Sequence, residues 1–160
     1  MAKFMSLENA NKAERLVLFD TNVLISAYKS VYKNAQSHEL SVLNLLRQID
    51  GSRRFTSELV LWEFLHPKVS NITLEEIDKR RKWLNVYLIK VRDKHPSGYI
   101  KTFETLAHFQ KACGDPVDGA LAAYSVSSKG QFVIATEDRD DFCWHKDIVV
   151  IADFLHGKTC

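Results

Sequence analysis

Two kinds of apolar pattern alternate along the chain: short continuous runs, and longer segments whose apolar residues recur three or four positions apart. The continuous runs predict strands, and they are typical of strands buried on both faces of a sheet. These strands are predicted over residues 15–20, 54–56, 132–136 and 147–152. The spaced segments predict helices over residues 23–28, 37–50, 57–66, 73–93, 101–112 and 115–128, with a turn at 95–98. This alternation predicts an α/β, three-layer α/β/α fold with a mainly parallel central sheet.

Local signals support several of these boundaries. Thr21 or Asn22 is a suitable N-cap for the first predicted helix, and Ser57 for the third. Thr73 followed three residues later by Glu76 is typical of a capping box.

Length and composition set limits on the organisation. The chain has 160 residues, of which 46% are hydrophobic and 26% are charged. This length and composition are ordinary for one globular domain. The polar first 14 residues predict an N-terminal arm, with a single domain over 15–160. No apolar stretch approaches the ~20 residues that span a bilayer, so we expect no membrane partner. The three cysteines, Cys113, Cys143 and Cys160, argue against a disulfide framework or a zinc site and favour the cytoplasm.

Charge is nearly balanced, with 22 basic and 20 acidic residues and a net charge of +2. The basic residues cluster at 53–54, 79–82 and 90–94. Such clusters attract a polyanion, although solvated helix faces would explain them equally well.

Four acidic residues lie at the ends of apolar runs or inside them. Asp20 follows a predicted strand, Glu63 interrupts an apolar helix, Asp118 opens a helix, and Asp138 follows the strand at 132–136. Carboxylates are costly in apolar surroundings unless something positive compensates them, and clusters of oxygen ligands suit Mg²⁺ or Mn²⁺. Ligands of such sheets bind outside the carboxyl ends of strands, where Asp20 and Asp138 would meet if their strands are neighbours.

Each acid also has a structural explanation. Asp20 is common in strand-to-helix turns, and Glu63 would be compensated by an ion pair with Arg53 or Arg54. Asp118 favours the dipole of a helix that begins at Asp115. Asp138 lies in an acidic loop of a common kind, and spacing alone leaves open which of Asp138, Asp140 and Asp141 faces the site. His66 is interpreted as a helix-end residue.

Four short segments carry a family resemblance. They are residues 18–24, 57–63, 118–124 and 136–142, and the acids within them are separated by 43, 55 and 20 positions. In this order they resemble the PIN domain, the metal-dependent ribonuclease fold that includes VapC-type toxins, over about residues 15–155.

The resemblance implies a function and a set of site residues. The expected catalytic and metal-binding acids are Asp20, Glu63, Asp118 and Asp138, supported by Asn22, Asp115, Thr136 and Asp141. They would hold one or two Mg²⁺ or Mn²⁺ ions that activate water to hydrolyse RNA. RNA backbone contacts are expected from Lys29, Lys33, Arg80, Arg81 and Arg139. The implied partners are RNA, an antitoxin protein and a second copy of the chain in a homodimer.

Two alternatives compete with this interpretation. A haloacid-dehalogenase-like phosphatase needs an aspartate two positions after its first, and Asn22 stands there instead. A non-catalytic PIN-like module would bind RNA or protein without cleaving it.

Overall fold

A central sheet of six parallel strands organises the molecule. The computed structural model describes residues 2–32, 34–66, 72–92 and 115–156. The strands are β1 (Lys3–Met5), β2 (Leu16–Phe19), β3 (Arg54–Ser57), β4 (Lys90–Arg92), β5 (Phe132–Ala135) and β6 (Val149–Ile151). Their spatial order is β1-β6-β5-β2-β3-β4, and every neighbouring pair is parallel. The predicted three-layer α/β/α fold with a parallel sheet is confirmed.

The centre of the sheet is its most apolar part. All four residues of β5 are buried, as are Val17, Leu18 and Phe19 of β2. The two strands pair in register from Leu16 with Phe132 to Phe19 with Ala135. Their continuous apolar runs follow from this position, because both faces of a central parallel strand are covered by helices.

Helices connect the strands. They are α1 (Leu7–Lys12), α2 (Thr21–Lys29), α3 (Ser37–Arg47), α4 (Glu58–Leu65), α5 (Leu74–Val86) and α6 (Pro116–Ser127), with short 3-10 turns at Gly51–Arg53 and Ala152–Phe154. Ser57 caps α4 as predicted, with its hydroxyl accepting from the Val60 N–H at 3.1 Å. Helix α3 ends three residues before the predicted limit.

The helix predicted over 73–93 is shorter in the structure. It ends at Val86, and Leu88 then adopts a φ of 56°, which directs the chain into β4. Thr73 caps α5, but only half of the predicted capping box forms. The Glu76 carboxylate instead accepts a 2.9 Å hydrogen bond from the Tyr28 hydroxyl, which ties α5 to α2.

The first 14 residues contribute to the same sheet and core. Strand β1 pairs with β6, and Leu7 and Ala10 of α1 are buried. The hydrophobic pattern predicted neither β1 nor β4, because three-residue edge strands that begin with lysine leave almost no periodic signal.

Some sequence predictions fall outside the described residues, namely the turn at 95–98 and the helix at 101–112. Within the described part of the chain, no helix has the length and apolarity that a membrane span requires. Cysteine spacing argued against a disulfide framework, yet Cys143 is disulfide-bonded.

Candidate metal centre

The carboxyl ends of β2 and β5 place two candidate residues side by side. Because Phe19 pairs with Ala135, the next residues, Asp20 and Thr136, leave the sheet together. The Asp20 N–H donates to the Ala135 carbonyl at 2.9 Å, which extends the strand pairing by one residue.

The Asp20 carboxylate is buried and fixed at both oxygens. Its side chain is 5% exposed. Oδ1 accepts from the Thr21 N–H at 2.7 Å, and Oδ2 accepts from the Thr136 hydroxyl at 2.8 Å. Asp20, rather than Thr21 or Asn22, is therefore the N-cap of α2. A carboxylate offers about four acceptor positions, so two remain for a cation.

Thr136 and Asn22 hold the loop that follows β5. The Thr136 Oγ1 accepts from the Asp138 N–H at 3.2 Å and lies 3.4 Å from Asn22 Nδ2. The Asn22 Oδ1 accepts from the Glu137 N–H at 3.2 Å. Both residues therefore orient the acidic segment rather than contribute charge to it.

Glu63 reaches the same end of the sheet from α4. Its Oε1 accepts a 2.6 Å hydrogen bond from the hydroxyl of Thr21, the residue next to Asp20. The alternative of an ion pair with Arg53 or Arg54 is wrong for the described residues. Arg53 and Arg54 instead donate to backbone carbonyls of Arg15, Ile49 and Tyr87, which precede the strands at the amino end of the sheet.

Asp118 lies in the first turn of α6. Asp115 caps this helix, with its Oδ1 accepting from the Val117 N–H at 2.8 Å and the Asp118 N–H at 3.4 Å. The Asp115 carboxylate is thus engaged by the backbone, and the Asp118 carboxylate extends towards the sheet.

Three carboxylates converge at this point. Oxygen atoms of Asp20, Asp118 and Asp141 all lie within 4.8 Å of one another. Asp141 stands in the turn after β5, next to the fully buried Phe142. Asp138 is exposed, and its Oδ1 accepts from the Asp140 N–H at 3.0 Å. Of the three loop acids that spacing left open, the structure brings Asp141 into this group, which includes neither Glu63 nor Asp138.

Burial and mutual repulsion raise the pKa values of the group. Burial raises the pKa of Asp20 to about 6, against the hydrogen bonds from Thr136 and Thr21, which lower it. Burial, followed by the charges of Asp20 and Asp141, raises the pKa of Asp118 to about 8. Burial and the Asp138 charge also raise the pKa of Asp141, although a hydrogen bond with Asp118 opposes the rise.

The donor set fits a hard divalent cation. Among the described residues, no lysine, arginine or histidine forms a salt bridge with Asp20, Asp118 or Asp141. Their raised pKa values, with no cationic partner among the described residues, mean that all three can ionise together only if a cation compensates them, and oxygen ligands suit Mg²⁺ and Mn²⁺. Asp20, Asp118 and Asp141 are therefore the residues that could hold an ion together.

An open cavity of about 420 Å³ lies at the loop that follows β5. Its lining residues are Asn22, Glu137, Asp138, Arg139, Asp140 and His156. None of the three converging acids lines this cavity, although Asn22 and Asp138, which both contact Thr136, do.

The basic residues expected near RNA differ in their availability. Lys29 and Arg81 are exposed, whereas Lys33 lies outside the described residues. Arg80 is committed to packing, because its Nη1 donates to the Phe64 carbonyl at 2.7 Å and its guanidinium lies 5.2 Å from the centre of the Tyr28 ring. The Arg139 guanidinium similarly lies 4.6 Å from the centre of the Phe4 ring.

Comparisons with known proteins give a consistent result. A family model described as "PIN domain" matches residues 17–146. Among solved structures, the chain is similar to FitAcB from Neisseria gonorrhoeae, with a TM-score of 0.57 and 17% identity over 87% of this chain and 99% of that chain. At that identity the likeness shows the fold alone. No significant match is found among curated proteins. Because the family model spans most of the sequence and all the carboxylates described above, the chain belongs to the PIN domain family.

Proposed function

We propose that the protein is a metal-dependent ribonuclease that hydrolyses RNA phosphodiester bonds at the centre formed by Asp20, Asp118 and Asp141. The observation that carries the proposal is the convergence of these three carboxylates within 4.8 Å. They come from three separate segments of the chain, and a fold has little reason to bring one buried and two half-buried carboxylates together unless a cation compensates them.

The residues of the centre have distinct proposed roles. Asp20 is the central ligand, because hydrogen bonds from Thr21 and Thr136 fix its carboxylate plane before any ion arrives. Asp118 and Asp141 complete the set from the two other segments. Mg²⁺ or Mn²⁺, when bound, supplies Lewis-acid activation of water and neutralises charge on the scissile phosphate.

Glu63 and Asp138 flank the three ligands. The Thr21 hydroxyl occupies only Oε1 of Glu63, so the other oxygen can accept a proton from an attacking water or orient that water. Asp138 is exposed, and its side chain interacts with that of Asp141 and raises the pKa of that residue, so a second cation would bind between the two carboxylates. Thr136 and Asn22 act as positioning residues, since they hold Asp20 and the loop that carries Asp138 and Asp141.

The test is a cleavage assay on a panel of labelled RNAs with Mg²⁺, Mn²⁺ or EDTA. We expect Asp20→Asn and Asp118→Asn to lower kcat by more than about 100-fold, because residues that merely orient metal ligands already cost 10- to 100-fold. Asp141→Asn should lower kcat more than Asp138→Asn does. This pair of variants compares two acids of the same loop. Absence of cleavage by the wild-type protein in Mn²⁺, with RNA binding retained, would favour the non-catalytic module instead.

A toxin role, an antitoxin partner and a homodimer are further predictions of the family resemblance. Expression of the wild-type chain would then arrest growth, and Asp118→Asn would relieve the arrest. Co-expression of a small protein encoded beside this gene would relieve the arrest without any substitution. Sedimentation of the purified chain measures its state of association.

A further inference from the structure

Glu137, the second residue after β5, is held by three contacts from three separate parts of the chain. Its Oε1 lies 2.9 Å from Nε2 of His38, which is in the first turn of α3. Its N–H donates to Asn22 Oδ1 on α2 at 3.2 Å. Its carbonyl accepts from the N–H of His156, which follows the 3-10 turn Ala152–Phe154, at 2.9 Å. The backbone and the side chain of Glu137 are therefore both fixed.

The contact with His38 compensates a carboxylate that is largely removed from water. The side chain of Glu137 is 16% exposed, and that of His38 is 31% exposed. A carboxylate in such surroundings is costly unless a donor pairs with it. Among the ion pairs of the described residues, Glu137 takes part only in the one with His38. An ionised carboxylate accepts and never donates, so Nε2 of His38 carries the proton of this hydrogen bond.

The ring of His156 packs on the ring of His38. The ring centres are 4.2 Å apart, and the planes are inclined by 31°. Because His156 also donates its N–H to the Glu137 carbonyl, it contacts both members of the pair. This packing restricts rotation of the His38 imidazole and so keeps Nε2 directed at the carboxylate.

Glu137 lies in the chain between two residues that bear on the candidate metal centre. The preceding Thr136 donates its hydroxyl to Asp20 Oδ2 at 2.8 Å and accepts from the Asp138 N–H at 3.2 Å. Three residues beyond Asp138, the Asp141 carboxylate comes within 4.8 Å of that of Asp20. A displacement of Glu137 would therefore move both the Thr136 hydroxyl and the start of the segment that carries the loop acids.

We infer that His38 is a positioning residue of the acidic centre formed by Asp20, Asp118 and Asp141. By holding Glu137, it sets the distance between Asp20 and the acids of the loop after β5. The inference rests on the proposed nuclease function, in which these acids share a cation. Loss of His38 should thus weaken cation binding without removing any ligand. Groups that contact metal ligands directly contribute about 10- to 100-fold to metal affinity, and His38 acts one residue further away, so its effect should be smaller.

The first test compares the requirement for metal with the rate at saturating metal. Mn²⁺ binding to the full chain is measured by calorimetry, and cleavage is measured as a function of Mn²⁺ concentration. His38→Ala should raise both the Kd and the half-maximal Mn²⁺ concentration about 3- to 10-fold, the range that one hydrogen bond contributes. The kcat at saturating Mn²⁺ should stay within about twofold of the wild type. A purely structural defect would instead lower kcat through loss of active protein and leave the Mn²⁺ requirement unchanged.

Matched variants identify the contact responsible. His38→Gln supplies an amide N–H donor and should restore most of the Mn²⁺ affinity, whereas His38→Phe keeps a ring against His156 but should resemble His38→Ala. Combining His38→Ala with Glu137→Ala should weaken binding no more than Glu137→Ala alone, because both residues act through one contact. Leu40→Ala is the control, since Leu40 is a 45% exposed residue of the same helix and should behave as the wild type.

Amide hydrogen exchange in EDTA tests the positioning role without metal or catalysis. In His38→Ala the amides of Glu137 and Asp138 should exchange about 3- to 10-fold faster than in the wild type. The amides of β5 should exchange at the wild-type rate, because the strand itself is paired on both sides.

The outcomes separate this inference from the proposed function. Equal Mn²⁺ affinity and equal loop exchange in His38→Ala and the wild type would overturn the positioning role, as would a wild-type protein that binds no Mn²⁺. Failure of both His38→Ala and His38→Phe to fold would also overturn it and make the pair a structural element. Weaker Mn²⁺ binding in His38→Ala, with no RNA cleavage by the wild type, would refute the nuclease function alone. Wild-type cleavage with an unchanged Mn²⁺ requirement in His38→Ala would refute the positioning role alone.

Discussion

The Thr136 hydroxyl donates a 2.8 Å hydrogen bond to Oδ2 of Asp20, a residue 116 positions away in the sequence. The two residues follow paired positions on neighbouring strands, so the bond joins the ends of β2 and β5. It fixes the orientation of a carboxylate that is almost entirely buried. The position of the candidate metal centre therefore depends on strand register as much as on the acids themselves.

Replacing Thr136 by valine should preserve volume and remove this bond. A buried Asp20 left without its donor raises the free energy of the folded state by about 1–3 kcal/mol, and its pKa should rise further above 6. Loss of carboxylate orientation should also lower cleavage about 10- to 100-fold. Urea unfolding and the cleavage assay measure the two effects, and Thr136→Ser should restore most of both. Wild-type activity in Thr136→Val would show that the bond has no positioning role.

The acidic centre should make the metal-free protein less stable as pH rises. The folded-state pKa values of Asp20 and Asp118, about 6 and about 8, lie above the ordinary value of 3.8. A raised pKa means that the protonated group stabilises the fold below its unfolded pKa, and this contribution is lost as pH rises through the folded pKa. The loss should therefore occur between about pH 4 and pH 8.

Asp118→Asn tests this pH dependence. The neutral amide removes one charge from the cluster, so the variant should gain on the order of 1–3 kcal/mol over the wild type near pH 8, and much less near pH 4. Thermal unfolding in EDTA across this pH range measures the difference. Parallel stability curves for the two proteins would contradict the assignment of a shifted pKa to this cluster.

Divalent metal should reverse the destabilisation, and more strongly at higher pH. An ion binds deprotonated carboxylates, so protons compete with it while Asp20 and Asp118 remain protonated. Added Mn²⁺ should raise Tm clearly at about pH 8 and only slightly at about pH 5.5, and EDTA should abolish the increase. Calorimetry in buffers of different ionisation enthalpy should detect proton release on binding. Equal thermal shifts at both pH values would argue that the ion binds elsewhere.

The N-terminal segment should be required for stability. Leu7 of α1 is 2% exposed, and truncating a buried leucine to alanine costs about 2–5 kcal/mol. Leu74→Ala is the matched control, because Leu74 is 85% exposed and its truncation should change stability by less than about 0.5 kcal/mol. Similar urea midpoints for the two variants would indicate that the segment is a dispensable arm.

The sequence predicted the central strands and most helices because their signals are local. Buried parallel strands are continuously apolar, and helices such as α4 and α6 begin at strong capping residues, Ser57 and Asp115. Edge strands β1 and β4 escaped prediction because they are short and partly charged. The end of α5 was predicted too late in the sequence. Leu88 turns the chain there by adopting a left-handed backbone conformation, and no local sequence pattern indicates this.

The candidate site was predictable in part for the same reason. Asp20 and Asp118 stand at the end of a strand and the start of a helix, so their positions follow from local signals. The choice between Asp138 and Asp141 depends on the path of a turn, which is set by Thr136 binding the Asp138 N–H and by burial of Phe142. These are tertiary interactions, and the spacing of residues along the chain does not predict them. The acid-aromatic pair of Asp141 and Phe142 was the available hint.

The order of strands also bears on when the candidate metal centre is completed during synthesis. Strand β5 fills the place between β2 and β6, although β2 is made more than a hundred residues earlier. A ribosome-bound chain that has not yet extruded β5 thus has a gap in the middle of its sheet and lacks Asp141 altogether. Under the proposed nuclease function, such a chain would not cleave the RNA that encodes it, because the three-carboxylate centre is complete only after Asp141 has been made.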